Sequence, residues 1–110
     1  MTPNSAISQK AEEIYQTVRT IMDLIPEENE HLKEIKSHIM ENILVLKVKL
    51  YSAERMQLWD LKMENAALIR KNARELMVAY HSLKMFGFED AEYYKIIREQ
   101  LEEFRFLFRD

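Results

Sequence analysis

One hundred and ten residues with 47% hydrophobic content are enough for one domain with one core, and leave no room for a second. One glycine, two prolines and no cysteine leave little turn chemistry for β-hairpins and exclude a disulfide frame or a thiolate metal site. A net charge of −3, from 16 basic and 19 acidic side chains, is not that of an obvious nucleic-acid binder.

Leu, Met, Glu, Lys, Arg and Ala dominate, so the expected class is all-α, arranged as an antiparallel up-down four-helix bundle over residues 7–110 behind a frayed polar lead at 1–6. In the first helix Ile7, Ala11, Ile14, Val18, Ile21 and Ile25 recur at steps of three and four on one stripe. Pro26 ends it, because the residue before a proline is pushed out of the α region.

The second helix starts near Pro26 to Asn29, with three glutamates at the positive end of its dipole. Its inward stripe reads Leu32, Ile35, Ile39, Ile43, Leu46 and Leu50. A turn is expected around Glu54 to Leu58, since without it helices two and three would form one rod of roughly 80 Å that a lone chain cannot cover.

Helix three runs from about Asp60 to Phe86, with Leu61, Asn65, Leu68, Ile69, Asn72, Leu76, Ala79, Tyr80 and Leu83 inward. Gly87 follows where a helix takes a left-handed cap residue. Glu89 and Asp90 open helix four, with Tyr94, Ile97, Leu101, Phe104 and Phe108 as its stripe. It reaches Asp110 without a cap, which reads as a helix that would naturally run further.

The longest apolar run, Ile43 to Leu46, is far too short to cross a bilayer. The N-terminus, with Lys10, Glu12 and Glu13 closing a polar lead, lacks the apolar stretch of a signal peptide, so the cytoplasm is the expected compartment.

Two surfaces remain after a core is assigned. On helix two, Met40, Leu44, Val48 and Tyr51 form a second apolar stripe roughly 120° from the first. On helix three, Met63, Ala67 and Met77 lie off the inward face beside Arg70, Arg74 and His81. The bland account is that helix two is the most enclosed element. The functional account, which we favour, is an interface between copies of the chain or with a partner, built from Met40, Leu44, Val48, Tyr51, Met63 and Met77. Charge is also uneven. From Lys47 to Lys84 the chain is net +4, and Lys47, Lys49, Arg55, Lys62, Arg70, Lys71 and Arg74 are the candidate contacts for RNA or another partner.

Candidate chemistry is sparse, and the expectation is a non-enzymatic protein with no cofactor. The Glu-x-x-His pattern that a di-iron bundle needs twice occurs once, at Glu28 to His31. His31 and His38, seven apart, read as solvated side chains rather than ligands. Ser37, Ser52 and Ser82 lie within helical patterns with no elbow to expose a nucleophile, and one glycine cannot make a phosphate-cradling loop. Arg74 and His81 share a helix face and resemble the Arg-x(4 to 6)-His motif of the HEPN ribonucleases. That resemblance implies Arg74 on a phosphate and His81 in acid-base chemistry; it is the minority reading, since the pattern falls mid-helix and Glu75 follows the arginine.

A longer order of features carries more weight. Leu32-Lys33-Glu34-Ile35-Lys36 leads into Glu41-Asn42-Ile43, followed by the basic run Leu68-Ile69-Arg70-Lys71-Asn72-Ala73-Arg74-Glu75-Leu76. The stop Leu83-Lys84-Met85-Phe86-Gly87-Phe88, the start Tyr93-Tyr94 and the run Leu101-Glu102-Glu103-Phe104-Arg105-Phe106-Leu107 complete it. Over about residues 14–108 this resembles the four-helix proteins related to the accessory variability determinant of diversity-generating retroelements and to the proteins encoded in intervening sequences of bacterial ribosomal RNA genes. The resemblance implies a homo-oligomeric ring, typically a pentamer, that in the retroelement branch binds the reverse transcriptase and its RNA template. It implies that Asn42 stands in the family's Asn-Ile pair and that Arg70, Lys71 and Arg74 form its basic third helix, with no catalytic residue among them. The retroelement proteins are strongly basic and this chain is net acidic, so self-association is better supported than RNA binding. A structural or adaptor bundle with no nucleic-acid role is the alternative.

Overall fold

The computed structural model describes residues 6–55 and 59–108, with the side chains of residues 54–62 outside that description. Within it are four helices: α1 (Ala6–Met22), α2 (Glu30–Arg55), α3 (Trp59–Met85) and α4 (Tyr94–Phe108), the last entered through a 3-10 turn at Ala91–Tyr93. No strand occurs among the described residues. The all-α expectation holds. The expected frayed lead, apart from Ala6, and most of the turn expected at 54–58 lie outside the described residues, but α2 ends and α3 begins on either side of that turn.

Helix α1 stops three residues short of the expected Ile25. Leu24 N–H reaches the Ile21 carbonyl at 3.0 Å and Ile25 N–H reaches Met22 at 3.1 Å, so the chain tightens into i to i+3 bonds before Pro26. Ile25 is nevertheless buried, folded under the helix end, and Ile7 is half-buried against the core. Helix α2 starts at Glu30, later than expected, because Asn29 caps it: its Oδ1 accepts the Leu32 N–H at 3.1 Å and its carbonyl accepts the Lys33 N–H at 2.9 Å. Glu30 occupies the first turn, where the helix dipole favours a carboxylate.

Helix α3 ends in a Schellman arrangement. Gly87 adopts φ +86°, a left-handed value that L side chains resist. The Gly87 N–H then bonds Lys84 O at 3.1 Å and the Phe88 N–H bonds Leu83 O at 2.9 Å. Phe88 and Leu83 are both buried, the hydrophobic contact that accompanies such a cap. Helix α4 does not open directly at Glu89 and Asp90, as expected, because Asp90 makes no side-chain cap bond and the 3-10 turn intervenes.

The core gathers the inward stripes of all four helices. Ile14, Val18, Ile43, Leu46, Ile69, Leu76, Ile97 and Leu101 are fully buried, each contributing about 1.5–3 kcal/mol of transfer free energy. Leu68, expected inward, is instead 38% exposed. It sits about 100° around α3 from Ile69, beyond the width of the buried stripe. Leu61 lies among the undescribed side chains. Each helix packs on its neighbour in sequence, and α4 closes the square on α1. Lys10 meets Glu103 at 3.3 Å while Gln100 donates to Glu13 at 3.2 Å, so α1 and α4 run in opposite senses. Contacts of Leu76 with Tyr94 and of Arg70 with Phe108 show the same for α3 and α4. Among the described residues, no helix is long and apolar enough to cross a membrane.

Candidate functional site

This packing leaves two surfaces on different helices. One is the outer ridge of α2, where Glu30, Glu34, Ser37, Glu41, Leu44, Val48 and Tyr51 follow one another at alternating steps of four and three. Such spacing keeps side chains on one line of a helix and is the spacing of a helix–helix seam. All seven are exposed, Leu44 by 45% and Val48 by 61%. The ridge is acidic in its first half and apolar in its second. Beside it a shallow groove of about 550 Å³ runs over Met40 and Leu44, edged by Glu27, Lys33 and Lys36.

The other surface is a groove of about 460 Å³ between α3 and α4. Ala73, Met77, Phe104 and Phe108 line it, with Arg70, Arg74 and Arg105 at its rim and Glu102 the one acid there. The Arg70 guanidinium lies 5.4 Å above the Phe108 ring, and Arg105 pairs with Glu102 at 3.1 Å. At its upper end the groove is shut by Arg98, whose Nε points at Met77 Sδ from 3.4 Å, and by the Tyr94 hydroxyl, which donates to the Leu76 carbonyl at 2.6 Å. Burial pushes the Tyr94 phenol well above its usual pKa.

The basic residues named from sequence do not converge on one patch. Lys47 turns toward α1, where it pairs with Glu12 at 2.7 Å and lies 4.0 Å above the Tyr15 ring. The hydrogen bond from Lys47 holds the Glu12 carboxyl below its usual pKa. Lys49, two residues on and therefore about 200° around α2, is half-buried on another flank. Arg55 and Lys62 fall among the undescribed side chains. Arg70, Lys71 and Arg74 are exposed on α3, and Arg70 and Arg74 share the groove. Arg105 completes that cluster and was missed from sequence. Its signal was the spacing Arg98 to Arg105, seven residues apart on one flank of α4.

The apolar residues named as an interface also divide. Leu44, Val48, Tyr51 and Met63 are exposed, whereas Met40 and Met77 are half-buried against the molecule's own core. Flexible thioethers fill such edges of a core well, and each of the two also lines a groove open at the surface. Asn42 donates to the His38 carbonyl at 3.1 Å within α2.

For catalysis the geometry supplies little. His31 stacks on Phe86 with ring centroids 4.9 Å apart, and His81 sits edge-on to Tyr80 outside the groove that Arg74 lines. Among the described residues, no three His, Asp or Glu side chains gather as metal ligands. What the arrangement leaves exposed is an amphipathic helix ridge and an arginine-rimmed apolar groove. Comparison with protein-family models, with curated proteins and with solved structures finds no match to this chain.

Proposed function

We propose that this chain is a non-enzymatic, homo-oligomeric helical accessory protein that acts by binding other macromolecules. Following the resemblance of residues 14–108, its partners are a reverse transcriptase and the template RNA of a diversity-generating retroelement, and the assembly is a pentameric ring. The observation that supports self-association is the outer ridge of α2, whose Leu44 and Val48 stand exposed on a seam-spaced line. The arginine groove between α3 and α4 is suited to an acidic protein surface, through charge-assisted bonds to carboxylates, and Lys71 lies exposed on α3 outside it.

Light-scattering mass at tens of micromolar tests the first element: a stable multiple of 13.3 kDa is expected, and a clean monomer would sink the reading. Fluorescence anisotropy with a structured RNA at low salt tests the second. Binding that weakens steeply with salt is expected, and Lys71→Ala, exposed on α3 outside the groove, lowers both affinity and salt slope. An assembly that binds no RNA at low salt would leave the structural or adaptor bundle as the function. A reverse-transcriptase gene beside this one, and co-purification of its product with this chain, test the third.

A further inference from the structure

We infer that copies of this chain join head to tail, the outer ridge of α2 on one copy lying in the α3–α4 groove of the next. The inference rests on the self-association proposed above and specifies which surfaces meet. Ridge and groove share no residue and lie on different helices of the closed square, so a two-fold contact of either with its own copy would leave the other bare.

Charge decides between the pairings. A ridge against its own copy in parallel sets Glu34 and Glu41 against the same carboxylates. Antiparallel, it presses those carboxylates onto Leu44 and Val48, with only Lys33 and Lys36 at the edge of the ridge to offset their desolvation. A groove against its own copy opposes Arg70, Arg74 and Arg105 to themselves. Only ridge against groove brings carboxylates to guanidiniums, where short charge-assisted bonds form. The floor of the groove, formed by Ala73, Met77, Phe104 and Phe108, is apolar, as Leu44 and Val48 are. From Glu34 to Val48 the ridge runs about 21 Å, at 1.5 Å per residue.

A charge-swap experiment read by sedimentation velocity tests the pairing. Glu34→Lys with Glu41→Lys in one chain, and Arg70→Glu with Arg74→Glu in another, each weaken self-association by about tenfold or more, because like charges then face each other. Mixing the two variants restores assembly as equimolar complexes, and all four changes in one chain restore it without a partner. Variants that keep the wild-type mass, or that dissociate and are not rescued by mixing while their helical circular dichroism is intact, overturn the head-to-tail contact and leave self-association standing. A monomeric wild type overturns both. If a reversal unfolds the chain, the exposed single changes Glu41→Gln and Arg74→Gln replace it. These are expected to weaken assembly and flatten its salt dependence, and an unchanged salt dependence overturns the pairing.

Discussion

Helix α3 meets α2 along one flank and α4 along the other, and the two seams differ. Against α2 it closes along the described side chains, with Asn65, Ile69, Asn72 and Leu76 buried and a facing stripe that includes Ile39, Ile43, Leu46 and Leu50. Against α4 it closes tightly where Tyr94 reaches Leu76, then opens below Met77 into the arginine-rimmed groove. The difference follows from what stands at the edge of each stripe. Small and apolar side chains let two helices approach, while guanidiniums on both flanks of a seam must stay hydrated and hold it open.

The largest expected effect lies in the closed part. Ile43→Ala, at a fully buried position, destabilises by about 2–5 kcal/mol, while the neighbouring Leu44→Ala on the exposed ridge changes stability by about 0.5 kcal/mol or less. Thermal or urea unfolding checks the pair, and equal effects would mean that the ridge is not exposed as described. Next comes the latch between the two halves of the α3–α4 seam. Tyr94→Phe costs about 1 kcal/mol through the lost bond to Leu76. Because burial raises the Tyr94 pKa, the folded state holds that proton longer than the unfolded chain. Its contribution is therefore complete below the ordinary tyrosine range near pH 10 and declines as pH rises above it. The Phe variant should lose that part of the alkaline decline, as read from urea midpoints at pH 8 to 11.

Gly87→Ala sharpens the comparison at the corner that aims α4. With nothing within 4 Å of an added Cβ, its cost is the left-handed backbone alone, about 1 kcal/mol in a melting experiment. The smallest effect is expected between α1 and α2. Glu12→Gln removes an exposed pair with Lys47 worth about 0–1 kcal/mol. Since the Glu12 pKa is depressed in the folded protein, that increment is present above the ordinary carboxylate range and is lost as pH falls through the folded value. Stability curves of wild type and variant should therefore converge in acid.

Much of the fold was legible in the chain because a helix repeats its contacts every three to four residues, and the core is apolar at that repeat. Ile14, Val18, Ile43, Leu46, Ile97 and Leu101 could be placed inward from spacing alone, and Gly87 announced the end of α3. Met22 and Phe88 escaped that reading although both are buried. Met22 stands four residues after Val18 on the edge of the stripe, and Phe88 is the apolar residue that a glycine-capped helix folds back onto itself. Leu68 failed in the other direction, since an apolar side chain at the edge of a stripe is buried only if a neighbour covers it.

The candidate site was legible only in pieces. Spacing along α2 showed an apolar line apart from the core, and the bases of α3 were visible as a run. Periodicity assigns a side chain to a face of its own helix, and that much the sequence determined by itself. It is silent on which other helix flanks that face, because the pairing depends on the order in which four stripes close around one core. Tertiary structure decided that Lys47 is paired with Glu12 across the α1–α2 seam, that Met40 and Met77 pack partly against the molecule's own core, and that Arg105 of α4 joins Arg70 and Arg74 of α3. The arginine groove is thus a property of two helices meeting, whereas the ridge of α2 is a property of one.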